Sequence, residues 1–440
     1  MSAPRIRALT RQEWGLIGVV ALLFIGTGVF QNWTLALTIF NMAVISAIMA
    51  LGVNIQWGYA GLFNVGTMGF VALGGLAAVL IAMPPVAPAW SAGGLRLLAG
   101  LAFFVILILL AVRLARRLRG HRLRNWAVAG LLLVGLFVGR WIIDPAIAAI
   151  EAVDPAATGY LGGLGWPILL AWPVGGALAA AAAWLIGKVA LGLRSDYLAI
   201  ATLGISEIVI AVLKNEDWLA RGVKNVIGLP RPVPYEVDLQ RSEAFLGFAQ
   251  SLGATPVDAS VITVKVLYAL LFLAILLALL WLSERALHSP WGRMMRAIRD
   301  NETAAAAMGK DVTARHLQVF VLGSAVCGVA GAMMTTLDGQ LTPGSYQPLR
   351  FTFLIWVMVI VGGSGNNLGA ALGGFLIWFC WIQVEPLGLW LMSLLASGLP
   401  EASALRAHLI EGAAHMRLLT MGLIMLLVLR FRPRGLIPER

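Results

Sequence analysis

Charge is what this sequence has least of. Asp, Glu, Lys and Arg make up 12% of its 440 residues, about half the roughly 25% usual in soluble domains. That excludes an ordinary water-soluble globule. Two cysteines exclude a disulfide framework; Cys327 and Cys380 both fall inside apolar runs, where they read as small hydrophobes. The five histidines show no metal-ligand spacing, so no metal site is expected. No P-loop occurs, so the chain has no nucleotide cradle of the usual kind. GGSGNNLG at 362–369 lacks the Lys-Ser/Thr ending and reads as a tight turn between spans. Nor is there a cluster of His, Asp or Ser at one membrane face of the sort an integral membrane enzyme needs.

What is there is apolar: 60% of residues are hydrophobic and the mean hydropathy is +0.87. Runs near 20 residues match a hydrocarbon core about 30 Å thick. The 49 glycines suit close helix packing and the 16 tryptophans suit the interface. Alternating ten-residue segments, the mark of a membrane β-barrel, are missing. The expected fold is an all-α, polytopic transmembrane bundle of about ten to twelve spans, some broken or re-entrant, forming one membrane-embedded domain over 1–440. Candidate spans lie at 14–30, 34–56, 62–83, 97–112, 126–143, 167–190, 197–213, 262–282, 317–337, 351–363, 367–383 and 416–430. The first follows Arg5, Arg7 and Arg11 without a convincing cleavage site and reads as a retained anchor.

The net charge of +11 suits the positive-inside rule better than nucleic-acid binding, so no nucleic-acid partner is expected and the lipid bilayer is the surrounding medium. A cytoplasmic N-terminus puts Arg113, Arg116, Arg117, Arg119, Arg122 and Arg124 inside, with Lys188 and Arg194. It does the same for Arg285, Arg293, Arg296 and Arg299, and for the tail with Arg430, Arg432, Arg434 and Arg440. Both termini are then cytoplasmic in a multi-pass protein of the cell membrane. The loops at 84–96, 144–166, 338–349 and 384–415 fall outside with few basic residues, and the long 214–260 loop has mixed charge.

Glycine-interrupted segments often line the path of a transporter. Two stand out, GYAGLFNVGTMGFVALGGL at 58–76 and VGGSGNNLGAALGGFLI at 361–377, sharing ALGGL and ALGGF. They nominate Asn64, Thr67, Gly362 and Gly363 as pathway residues; the competing reading is close packing through small residues. A third segment, RSDYLAIATLGISEIVIAVL at 194–213, carries Thr202 and Ser206 four apart on one helix face, and Glu207 deep in an apolar run. A carboxylate there needs a cavity or a partner. It is either a pathway residue or a structural hydrogen-bonder near the outer interface, with Lys214 close to where the helix emerges.

RAIRDNETAAAAMGKD at 296–311 is charged, yet it lies between two apolar runs. A helix can begin after Ser289-Pro290, with Met294, Met295, Ile298 and Ala305 at roughly helical spacing. A second short helix starts near Asp300 or Asn301 as N-cap, has Glu302 in its first turn and stops at Gly309. Its narrow alanine face suits docking in a groove on another protein; the alternative is a connector resting on anionic lipid.

ETAAAAMG at 302–309 resembles the EAA-type loop of ATP-binding-cassette importer permeases. More narrowly, the chain resembles the LivM-type permeases of branched-chain amino acid importers. The matching segments are GYAG at 58–61, LRSDYLAIATLGISEIV at 193–209, SPWGRMMRAIRDNETAAAAMG at 289–309, FVLGSAVCGVAGAM at 320–333, VGGSGNNLGAALGG at 361–374 and FRPRGLIPE at 431–439. The resemblance implies a non-enzymatic transport subunit. Residues 283–316 would be a cytoplasmic coupling loop, with Arg296, Arg299, Asp300, Glu302, Thr303, Ala304, Ala305 and Gly309 at the ATPase contact. It implies ATPase partners that bind the ATP, a second permease subunit and an external solute-binding protein; the chain itself takes no cofactor. Asn64-Val65-Gly66-Thr67 stands where relatives commonly read closer to Ser-Leu-Gly-His, and 221–226 where they often carry Gly-Gly-Pro-Asn-Gly. Residues 84–165, expected as inserted spans and loops, and 384–415 look like additions. Related permeases handle urea or short amides, so these remain alternatives to amino acids, as does a self-contained secondary transporter or channel.

Overall fold

A computed structural model describes residues 10–400 and 403–439. Arg5, Arg7 and Arg440 lie outside the described residues. Each apolar run expected to span carries a helix, although the run at 62–83 is helical only from Thr67: α1 (Arg11–Phe30), α2 (Trp33–Ala60), α3 (Thr67–Ala82), α4 (Ala87–Arg117), α5 (Arg124–Glu151), α6 (Ile168–Ala190), α7 (Ser195–Asn215), α8 (Pro256–His288), then the short α9 (Pro290–Asp300) and α10 (Glu302–Ala307), followed by α11 (Val312–Asp338), α12 (Pro348–Gly362), α13 (Asn367–Ala396), α14 (Ala404–Gly412) and α15 (Met416–Phe431). Among the described residues nine helices are long and apolar enough to cross a membrane, or ten if bent α14–α15 counts as one span. The difference from ten to twelve lies in α3 and α12, which are apolar but shorter. Two two-residue strands, β1 (Val226–Ile227) and β2 (Gln340–Leu341), pair antiparallel beyond the helix ends.

Local chemistry sets the helix starts. Thr10 and Glu13 form a capping box on α1, and Asn32 accepts from the Thr34 N–H at α2 (2.6 Å). Thr255 before Pro256 and Ser289 before Pro290 combine an N-cap hydroxyl with a proline whose missing N–H is not needed.

The centre is α2, α3, α6 and α11, brought together at glycines. A methyl group on Gly52 would lie 2.6 Å from Cys327 Sγ, one on Gly323 2.5 Å from the Gly52 carbonyl, and one on Gly74 or Gly331 would overlap α11 or α3 backbone. Lipid supplies no hydrophobic drive between helices, so this close van der Waals contact is what holds them. The ALGGL and ALGGF fragments both serve it: Gly74 meets Gly328, and a Cβ on Gly374 would lie 2.6 Å from Ala47 Cα.

Helix α2 runs antiparallel to both α13 and α11. Asn54 meets Asn367 where Ala47 meets Gly374, and Gln56 meets Phe320 where Met49 meets Cys327. Hence one end of the bundle gathers the end of α2, α9–α10, the α12–α13 turn and residues 432–439; this is the basic end. Trp172 donates to Thr336 (3.1 Å) near the opposite end. There Tyr346, buried against Thr335 (3.1 Å), has its phenol pushed well above its ordinary value by burial and stays neutral.

The α4–α5 hairpin packs mainly on itself. Leu107 fills the space beside Gly135, Phe104 that beside Gly139 and Ile143 that beside Gly100. It joins the rest at the far end, where Glu151 accepts from the Trp218 N–H (3.2 Å) and Arg221 donates to the Ala156 carbonyl (2.6 Å). Only 11% of the most apolar stretch of α5 is buried, against 78% of α2, so most of the hairpin's side chains are offered to lipid.

Candidate functional site

Helix α2 ends at Ala60, and α3 does not begin until Thr67. The six residues between are not helical, yet they turn back into the bundle: Asn64 donates to Gln56 Oε1, one turn up α2, at 2.8 Å. Non-helical backbone at membrane depth must find partners inside the protein. Here side chains provide them. Asn64 Oδ1 accepts from the Gly66 N–H (2.8 Å), Thr202 Oγ1 from the Val65 N–H (3.1 Å), and Trp356 Nε1 donates to the Asn64 carbonyl (3.1 Å). Gln56 is itself held by the Phe320 carbonyl and Ser324 Oγ, both at 3.0 Å.

Helix α3 then runs parallel to α7 at close range. A Cβ on Gly66 would overlap the Thr202 carbonyl, and one on Gly69 would lie 2.9 Å from Ser206 Cα. A cavity of about 10 Å³ remains between them, lined by Gly66, Gly69, Phe70, Thr202, Ile205 and Ser206 among others. That is the size of a single water. Thr67 Oγ1 and Ser206 Oγ are buried without a hydrogen-bond partner. The structure thus brings Asn64, Thr67, Thr202 and Ser206 together. Glu207, next along α7, is exposed on another face of that helix, and no hydrogen bond or ion pair joins it to a described side chain.

Gly362 and Gly363 do not join this cluster. They lie at the basic end, where Gly362 packs on Gly369 and Gly363 on Ile437. A second buried polar cluster sits beside them. Asn367 Oδ1 accepts from Asn54 Nδ2 (3.1 Å) and from the Tyr59 hydroxyl; Asn367 Nδ2 donates to Glu284 (2.8 Å). Asn54 Oδ1 accepts from the Gly365 N–H (2.8 Å). This ties α2, α8 and α13 together.

Beyond that cluster lie α9 and α10. Met295 and Ile298 are buried under α9. Asn301, not Asp300, caps α10, accepting from the Ala304 N–H at 2.9 Å. Asp300 is the last residue of α9, beside Arg299 (3.4 Å). Gly309 stops the second helix with φ +76°, a conformation suited to glycine. In α10 only Ala305 is buried; Glu302, Thr303 and Ala304 face outward. Arg296 is turned toward the Leu287 carbonyl (3.5 Å). Arg299 points inward, donating to the Gly58 carbonyl and pairing with Glu439 at 2.8 Å. Sequence reasoning missed Asn54, Gln56, Trp356, Asn367, Glu284 and Glu439. The signal for the first two was an amide inside an apolar run, which always needs a partner.

Residues 97–429 match the family described as branched-chain amino acid transport system / permease component. The chain is 28% identical over 296 residues to the high-affinity branched-chain amino acid transport system permease protein LivM of Salmonella typhimurium, covering 66% of this chain and 61% of that one. It is also 28% identical over 250 residues to a probable LivM of Methanocaldococcus jannaschii (56% of this chain, 61% of that one). LivH of Escherichia coli, a permease protein of the same kind of system, matches at 25% over 256 residues (58% and 73%). The chain therefore spans about 61% of the length of the LivM proteins it matches. No solved structure matches.

Proposed function

This chain belongs to the branched-chain amino acid transport system / permease component family, and from that premise we propose that it is a membrane permease subunit of an ATP-binding-cassette importer. The solute is a branched-chain or related amino acid, as the names of its relatives suggest. The basic end faces the cytoplasm, α10 docks on a partner ATPase, a second permease packs beside this one, and an external binding protein delivers the solute.

The observation that carries the reading is the posture of α10. It is a capped helix of six residues, exposed except at Ala305, beside an α9 whose Met295 and Ile298 are buried. An exposed alanine face flanked by Glu302 offers a partner small side chains and one charge. Motion of α10 biases the bundle only if the partner binds one orientation better than the other. The solute route runs along the break at 61–66 and the α7 face that carries Glu207. A carboxylate exposed at membrane depth is costly against lipid and is accommodated by an aqueous path between two permeases.

The test is reconstitution with the ATPase and binding-protein partners, with uptake competed by amino acids, urea and short amides. Branched-chain amino acids should compete best. Glu302→Lys should leave the chain inserted while abolishing solute-stimulated ATP hydrolysis and uptake. Normal uptake in that variant, or uptake that persists without any ATPase partner, overturns the reading.

A further inference from the structure

Residues 432–439, which follow the last span, are bound to three parts of the bundle at once. The Leu436 N–H donates to the Val361 carbonyl (2.9 Å) and the Ile437 N–H to the Gly362 carbonyl (3.0 Å), so the tail caps the open end of α12. Gly435 (φ +78°) lies against Gly363 (φ +118°) so closely that a side chain on Gly435 would overlap the other backbone. Asn366 Nδ2 donates to the Pro438 carbonyl (3.4 Å), and Gln12 Nε2 of α1 to the Leu436 carbonyl (3.0 Å). Last, the Glu439 carboxylate sits over Gly365 and pairs with Arg299 of α9 at 2.8 Å, both side chains about three-quarters buried (24% and 25% exposed).

We propose that residues 432–439 are a strap that makes α9 and the α12–α13 turn move as one body, with Arg299 and Glu439 as positioning residues at its clasp. The inference rests on the reading that α10 receives an ATPase. The route is contiguous. A load on α10 reaches α9, whose Arg299 grips both the end of α2 and Glu439. The strap passes it to α12 through the Leu436 and Ile437 bonds, and α12 carries Trp356, which holds the Asn64 carbonyl in the mid-membrane break. Contiguity alone does not demonstrate coupling, so an energetic measurement decides.

The measurement is solute uptake per ATP hydrolysed by the complete complex in proteoliposomes, for wild type, Glu439→Gln, Glu439→Asp and the exchanged pair Arg299→Glu with Glu439→Arg. Glu439→Gln should hydrolyse ATP at near the wild-type rate while uptake per ATP falls about tenfold, within the usual range of coupling energies. Glu439→Asp should keep most coupling. The exchanged pair should recover part of it, since the Gly58 contact is lost. Unchanged uptake per ATP in Glu439→Gln overturns the strap. If the wild-type complex shows no solute-stimulated hydrolysis, the importer reading fails, and hydrogen exchange on the purified full chain then decides the strap alone. Glu439→Gln should raise exchange together in 290–300 and 361–366; a rise confined to 432–439 overturns the strap.

Discussion

Two buried polar clusters in this bundle are built from the same kinds of side chain and finished differently. At the basic end, both Asn54 and Asn367 use their oxygen and their nitrogen, and the Tyr59 hydroxyl and Glu284 close the group. In the break between α2 and α3, Asn64, Gln56 and Thr202 are equally well placed, but Thr67 and Ser206 each keep a hydroxyl with no partner. A completed network rigidifies what it joins, while a hydroxyl left over beside a water-sized cavity leaves room for a further polar partner. The first cluster is a closed block, and the second keeps two unpaired hydroxyls beside a water-sized cavity.

The largest effect should come from breaking the finished cluster. Asn367→Leu takes a hydrogen-bond partner from Asn54, Tyr59 and Glu284 together, leaving Asn54 with Gly365 and Tyr59 with the Ser283 carbonyl. Each lost partner costs about 1–3 kcal/mol in proteins generally, but bonds within membranes are worth nearer ~0.6 kcal/mol, so a total of about 2–4 kcal/mol is expected. Thermal unfolding of the detergent-purified chain should shift down clearly, with folded yield falling in step. A shift as small as that of a lipid-facing substitution would remove the distinction between the clusters.

Much of this was legible in the sequence, and the rest was not for stated reasons. Span positions follow from apolar length. The break follows from Gly58, Gly61, Asn64 and Gly66 occurring together, and α9 from Ser289-Pro290. What one chain pattern does not disclose is facing. The resemblance makes Arg299 a docking residue; its inward turn depends on Gly58 and Glu439, 241 and 140 residues away along the chain. Gly362 and Gly363 read as path residues because glycine marks both breaks and close contacts, and their packing on Gly369 and on the Ile437 backbone is not visible in the sequence. Asp300 and Asn301 are equally good caps by type; where α9 ends decides between them.

The second prediction tests closeness in the unfinished cluster. Gly69→Val pushes into Ser206, whose Cα would lie 2.9 Å from the added Cβ. Overpacking costs about 1–3 kcal/mol, so a moderate loss of thermal stability is expected, with uptake abolished because α3 and α7 are wedged apart. Wild-type uptake would show that their spacing is irrelevant to transport. Ser206→Ala is milder still. It removes a hydroxyl that bonds nothing, so stability should change by less than ~1 kcal/mol, in either direction. Solute affinity measured by uptake should nevertheless fall severalfold. If instead stability drops and affinity holds, the hydroxyl is structural and the two clusters differ only in degree.

Glu207 gives the smallest expected change in stability and the sharpest decision. It lies next to the unfinished cluster in sequence but faces away from it, exposed and without a described partner. If that face met lipid, Glu207→Leu would relieve a cost of about 2.5–3.5 kcal/mol, the range measured for charged residues at a helix centre, and the complex would be more heat-stable. If it meets water between two permeases, the carboxylate is already solvated and the unfolding temperature of the assembled complex should not move. Uptake should fall all the same, because the charge at the mouth of the route is gone. Unchanged stability with reduced uptake places the solute path along α7; a clear rise in stability with normal uptake turns α7 toward lipid and leaves the break at 61–66 without an entrance on that side.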